Sequence, residues 1–392
     1  MKETRPIRVL LVDPSLFTAP YDAALTEGLV AAGVQPTWAI RPTRDGDRQE
    51  IAPEYVDEFF YRRVDGMTFL PGPLRALAKG MAHALGLAQL VLRVLAKRPD
   101  VVHFQWLVVP PLDALAIRII AAHCPVVFTV HDTVPFNGDQ PSLLQKLAFD
   151  LPIRLSDRVI VHTEGGRERL RARGVPDEKL AVIPHGPLKL PAAAPAPAPA
   201  PPSSPLRPRR ETDARMTFLA FGEIKRYKGP DVLIEAAGLL PPALRARARF
   251  IIAGRPRMDM APLRARAAAL DLQDTLEIWP RRLSEPEMAD LFEQTDCFVF
   301  PYRQIDASGV YFLTKSSGKW IIASRVGIFA EDVKDGTQGQ LVAPENPEAL
   351  AAAIVAAIRD RPAPRATSSD SAWLAIGHAT CDVYRQARPR AA

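Results

Sequence analysis

Short apolar runs alternate with longer Ala- and Leu-rich segments from one end of the chain to the other. In the first half the runs are IRVLLVD (7–13), PTWAI (36–40), DVVHFQW (100–106), PVVFTVHD (125–132), DRVIVHT (157–163) and LAVIPHG (180–186). The second half continues with MTFLAFG (216–222), RFIIAG (249–254), LEIWP (276–280), CFVFPY (297–302), WIIAS (320–324) and GQLVAP (339–344). These runs are rich in Val and Ile and apolar on both faces, which is the pattern of parallel strands covered by helices on both sides. The intervening segments predict helices at 111–123, 142–156, 164–173, 230–240, 261–270, 284–294, 308–317 and 347–359. One of them opens with Ser284-Glu285-Pro286-Glu287, an N-cap Ser with an acidic residue three positions on. Strand and helix alternating throughout predict an α/β protein of two doubly wound domains.

A Pro/Ala tract, PAAAPAPAPAPPSSPLRPRR (191–210), separates the halves and can bury nothing. It sets the expected organisation: a first domain over 1–190, a linker over 191–213, a second domain over 214–370 and a last helix over 371–392. That helix carries Trp373, Ile376, Thr380 and Tyr384 at helical spacing, so one of its faces must dock.

A chain of 392 residues is long for a single core, which agrees with two domains. Hydrophobic residues at 47% and charged residues at 24% describe an ordinary globular protein. No apolar stretch is long enough to span a membrane, and MKETRPIRVLLVD reads as a first buried strand, not a signal peptide. The three cysteines, Cys124, Cys297 and Cys381, are widely spaced and unpaired in pattern, as in a cytoplasmic protein. The net charge of +6 suits an anionic partner. Residues 69–98 add a basic amphipathic segment, with Arg75, Lys79, Arg93, Lys97 and Arg98 and no acidic residue. Such a helix either lies on an anionic membrane surface or packs on a sheet with its cations in water.

In open α/β sheets ligands bind beyond the carboxyl ends of the strands. After one strand comes Gly222-Glu223-Ile224-Lys225-Arg226-Tyr227-Lys228-Gly229, a turn with three cations before a helix. It suits a diphosphate, or is a solvated basic loop. After another comes Asp306-Ala307-Ser308-Gly309, a phosphate-facing helix start or an ordinary N-cap. His103, His131 and His185 fall near the ends of three first-half strands without metal-ligand spacing. The triplet Asp45-Gly46-Asp47 reads as a solvent turn, not as a metal site. GxSxG, GxxxxGK[ST], HExxH and a GxGxxG after the first strand are all absent, which disfavours hydrolases, P-loop enzymes, zinc proteases and common NAD enzymes.

Taken in order, FTVHDTVP, DRVIVHTEGGRERL, KLAVIPHG, FGEIKRYKGPDVLIEA, RFIIAG, CFVFPYRQIDASG and SSGKWIIAS resemble the retaining glycosyltransferases of family four, over nearly the whole chain. The resemblance implies the GT-B fold, two Rossmann-like domains facing across a cleft, with the last helix returning to the first domain. It further implies a sugar transferred from a nucleotide-diphosphate sugar to a glycan or lipid-linked acceptor, with no metal and no cofactor. By it Lys225 and Lys228 contact the diphosphate beside Gly222, Ser308 and Gly309 offer N–H groups, and His131 meets the transferred sugar. The family's paired glutamates are replaced by Ile305 and Leu313, with Asp306 and Thr314 adjacent as substitutes. A binding-only descendant, a nucleotide-sugar epimerase and a nucleic-acid binder are the rival readings. The last rests on charge alone, since the cations are spread along the chain without interleaved aromatics.

Overall fold

The computed structural model describes residues 5–44, 48–62, 64, 71–133, 150–189, 215–363 and 369–387. The Asp45-Gly46-Asp47 turn and the Pro/Ala linker lie outside them. The chain divides into two compact units, Met1–Gly186 with Ser369–Ala392, and Pro187–Ser368.

The first unit is built on strands β1 (Arg8–Asp13), β2 (Gln35–Ile40), β3 (Val56–Glu58), β4 (Val101–Phe104), β5 (Val126–Val130), β6 (Arg158–Val161) and β7 (Leu180–Val182). They form one seven-stranded sheet in the order β3-β2-β1-β4-β5-β6-β7, with every pair parallel. The order reverses between β1 and β4, which places the switch point at the ends of Asp13 and Phe104. Edge strand β3 is absent from the sequence pattern because it is three half-buried residues, two of them acidic.

Helix Ala19–Ala31 also gives little amphipathic signal, because Tyr21, Asp22, Ala24, Leu25, Thr26, Gly28 and Leu29 are buried round most of its circumference. The final helix, Ser369–Gln386, covers its outer side. Trp373, Ile376, Thr380 and Tyr384 are all buried, as the spacing required. The two helices touch at Gly28 and Gly377, where a methyl group on either would collide with backbone of the other.

The second unit holds β8 (Met216–Phe221), β9 (Ala248–Ala253), β10 (Leu276–Trp279), β11 (Cys297–Phe300), β12 (Trp320–Ser324) and β13 (Gly339–Val342). Their order is β10-β9-β8-β11-β12-β13, again parallel throughout, with the reversal between β8 and β11. Its core joins Phe218, Phe250, Cys297 and Ile322 of the strands to Leu233, Leu350, Ile354 and Ile358 of the covering helices. Helix Glu285–Glu293 begins with the capping box that its sequence announces, Ser284 and Glu287 closing on each other's backbone N–H. The three cysteines are buried free thiols.

Candidate active site

The loops after β8 and β11 meet at the reversal of the second sheet. Gly222 turns with φ of 109°, a conformation that favours glycine. A side chain there would meet Lys228 Nζ at 2.9 Å and Val310 at 3.0 Å, so the basic loop and the start of helix Gly309–Lys315 converge on this backbone. Gly229, with φ of 66°, lets the loop close against the Pro301 carbonyl. Arg303 ties the two loops together. Its guanidinium donates to both Asp231 oxygens at 3.0 and 2.7 Å and to the Arg226 carbonyl at 2.6 Å.

Lys228 and Tyr302 come together at this junction. The Lys228 ammonium has no carboxylate at salt-bridge distance among the described residues and lies 5.5 Å from the centre of the Tyr302 ring. Burial pushes its pKa below the usual lysine value. The buried Tyr302 hydroxyl lies toward the Ser308 side chain without a close hydrogen bond. Both border a void of about 20 Å³ floored by Gly222, Ile224 and Val299. Lys225 sits on the same turn and pairs with Glu223 at 3.4 Å, while Arg257 holds Glu223 from its other side at 2.8 Å.

Ser308 caps its helix by accepting from the Tyr311 N–H, and Gly309 is exposed. Asp306 is buried, and its carbonyl accepts from Ile328 N at 2.9 Å. Thr314 is turned to its own helix: its hydroxyl donates to the Tyr311 carbonyl at 2.8 Å. Gly222, Lys225, Lys228, Ser308 and Gly309 thus gather at one junction, whereas the Thr314 hydroxyl is engaged elsewhere.

At the reversal of the first sheet, the strand ends carry a cluster of imidazoles. His131 follows β5 and is half-buried, with Trp106 stacked on it at 4.8 Å and 5°. Its Nε2 lies 3.0 Å from the Gln105 side-chain amide, and its Nδ1 lies 3.1 Å from His162 Nε2. His162 in turn lies 2.9 Å from the Ile183 carbonyl. Burial, then the other imidazoles, pushes the His131 pKa well below the usual value. His185 joins through Tyr21, whose ring touches His131, His162 and His185. His103 lies deeper, bridging Thr129 and Tyr384 at 2.7 and 2.8 Å. The sequence pattern singled out three of these residues and passed over His162. That residue follows DRVIV in the same register as the others, which is the signal that finds it. Among the described residues no cluster has a metal-ligand arrangement.

Comparison with known proteins gives these two switch points a common context. The model of glycosyl transferases group 1 matches residues 207–371, and that of glycosyltransferase family 4 matches residues 23–186. This chain belongs to the glycosyl transferases group 1 family. Among its relatives, a D-inositol 3-phosphate glycosyltransferase of Nocardiopsis dassonvillei is 29% identical over 64% of this chain and 60% of its own length. Its counterpart from Acidothermus cellulolyticus is 24% identical over 85% of this chain and 76% of its own. The chain thus spans under two thirds of the first of these relatives. Anabaena HepE, solved with UDP and glucose, superposes with a TM-score of 0.63 at 16% identity, over 97% of this chain and 95% of that one. The lipopolysaccharide outer core galactosyltransferase WaaB gives 0.64 at 12% identity, over 97% and 99%. A putative UDP-N-acetylglucosamine 2-epimerase from Listeria monocytogenes gives 0.59 at 15%, over 98% of each chain. The fold of this group 1 chain is therefore GT-B. Its basic loop after β8 and its helix start after β11 both lie within the segment that the group 1 model matches.

Proposed function

We propose that this chain transfers a sugar from a nucleotide-diphosphate sugar to a glycan or lipid-linked acceptor, with retention of configuration and without a metal ion. One observation carries the reading: the Lys228 ammonium, which has no carboxylate partner among the described residues, and the Tyr302 hydroxyl border one void at the reversal of the second sheet. A diphosphate is the anion that such a junction fits. Lys228 and Lys225 neutralise the charge that grows as the diphosphate departs, an electrostatic term of the kind that dominates many enzymes. Gly222 lets the phosphates approach the backbone, with Ser308, Gly309 and Asp306 completing the donor side. His131 meets the transferred sugar, and the leaving phosphate takes the acceptor proton. The chain works at the cytoplasmic face of a membrane, in polysaccharide biosynthesis. HepE, solved with UDP and glucose, and the galactosyltransferase WaaB support a sugar donor.

Calorimetric titration with UDP and GDP tests the donor site. Lys228→Ala and Lys225→Ala each lower affinity by ten- to hundredfold, the equivalent of ~1.5–3 kcal/mol for a charged hydrogen bond. Unchanged affinity in both variants would remove the phosphate site. His131→Ala lowers turnover while leaving nucleotide affinity intact, and turnover persists in EDTA. Loss in EDTA, restored by a divalent ion, would end the metal-free mechanism. The likeness to the epimerase supports a second reading, which an acceptor-independent change of the donor sugar would favour.

A further inference from the structure

We infer that His162 locks His131 into one neutral tautomer, proton on Nδ1 and lone pair on Nε2, so that His131 receives a hydrogen bond from a ligand hydroxyl. This rests on the reading of His131 as the group beside the transferred sugar. The order of protons is set by the main chain. His162 Nδ1 lies 2.9 Å from the carbonyl oxygen of Ile183, which has no proton to give. Nδ1 of His162 therefore carries the proton. A neutral imidazole has only one, so His162 Nε2 is bare. It lies 3.1 Å from His131 Nδ1, which must donate to it. His131 has then spent its proton, and its Nε2 is left with a lone pair. As placed, Gln105 sets its Oε1 3.0 Å from that nitrogen and its NH2 3.2 Å from His103 Nε2. A half-turn about the last side-chain bond exchanges the two ends, so that the NH2 satisfies the His131 lone pair and the oxygen faces His103. A ligand hydroxyl that displaces Gln105 finds an acceptor.

Neutrality follows from the surroundings. Among the described residues no carboxylate hydrogen-bonds either ring, and the groups that face them are His185 after β7, Tyr21 of helix Ala19–Ala31 and, deeper, His103 of β4. A charge on either ring would stand among other imidazoles with no counter-ion. Burial agrees, pushing His162 down to about 4.

A long-range proton–nitrogen spectrum of the full chain, labelled with nitrogen-15 at its 7 histidines, reads the tautomers directly. Single His→Gln variants assign the peaks. His131 and His162 should both appear neutral and Nδ1-protonated from pH 5.5 to 8.5. His162→Gln, whose amide can donate to Ile183 and accept from His131, keeps that His131 signature and most of the turnover. His162→Leu moves the His131 proton toward Nε2 and lowers turnover at least tenfold, with UDP affinity unchanged. A charged or Nε2-protonated His131 in the wild-type chain would overturn the inference, as would a His162→Leu variant with the wild-type tautomer and turnover. Should His162→Leu fail to fold, the wild-type spectrum and the Gln variant still decide. The expected spectra with undiminished turnover in both His131→Ala and His162→Leu would instead remove His131 from the sugar.

Discussion

Asp13 and Asp22 are two carboxyl groups shut off from water at the end of β1. Asp13 accepts from the Ser15 and Thr18 N–H groups, each at 3.3 Å. Asp22 takes a bond from the Thr18 hydroxyl on one oxygen, and its other oxygen has no donor. A carboxylic proton on Asp22, given to Asp13, resolves the pair. Burial pushes Asp13 up to about 6, and burial with the Asp13 charge pushes Asp22 well above the usual carboxylate value. Because both folded values are raised, the folded chain holds protons that the unfolded chain releases. Stability from this pair is therefore complete below about pH 4, and it falls as pH rises through 6 and beyond. Asp22→Asn keeps a donor to Asp13 and removes one ionisation. Chemical denaturation at pH 8 should show the variant to be the more stable, and the advantage should shrink toward pH 5. An advantage that grew on acidification would reverse the assignment.

Among the elements, helices Ala19–Ala31 and Ser369–Gln386 of the first unit show what the sequence could and could not say. Trp373, Ile376, Thr380 and Tyr384 announced that the last helix docks, but nothing in their spacing named its partner. The partner, Ala19–Ala31, is buried on nearly all sides and so lacks the one-sided pattern that marks a surface helix. The strands were legible because runs such as Val126–Val130 are buried on both faces. Edge strand β3 was not, because its Asp57 serves instead to hold Arg93 at 3.0 Å and Lys97 at 3.1 Å. The donor loop was legible as charge and glycine. The Arg303 latch onto Asp231 and the approach of Lys228 to the Tyr302 ring depend on residues distant in sequence. The Gly28–Gly377 contact makes its own prediction. Gly377→Ala drives a methyl into the Gly28 carbonyl and should cost ~1–3 kcal/mol or more, as overpacking does. Gly80→Ala, on helix Gly72–Lys97, meets nothing within 4 Å and should stabilise by up to ~1 kcal/mol through helix propensity. Thermal melts of the pair check both signs, and equal melting temperatures would deny the close packing.

At the scale of the molecule, the first unit presents one apolar surface that its core does not use. Helix Gly72–Lys97 buries His83, Gly86, Leu87, Leu90 and Val94 in the core of the first unit, where His83 bridges the Tyr61 hydroxyl and the Asp113 carboxylate at 2.8 and 2.7 Å. Its other side carries Leu74, Leu77, Met81, Leu85, Leu92 and Leu95, between 42% and 65% exposed. Leu115 and Ile119, on the neighbouring helix Pro110–Ile120, add to the exposed apolar set. No described helix is long and apolar enough to cross a bilayer, so this ridge could lie on one but not span it. The segment has no acidic residue, which favours an anionic headgroup layer, yet its cations are not equivalent. Arg93 stacks on Phe59 at 3.8 Å and shares Asp57 with Lys97, so both are tied to the fold. Arg75 and Lys79 are exposed. The prediction is co-flotation with anionic vesicles at low salt, lost as salt rises. Neutralising Arg75 and Lys79 together should weaken it by ~2 kcal/mol, roughly thirtyfold, at about 1 kcal/mol per cation. Leu77→Glu with Leu85→Glu should abolish it without lowering the melting temperature, since neither side chain is part of the core. Flotation that ignored all four residues would assign the ridge to something other than a membrane and leave the donor site untouched.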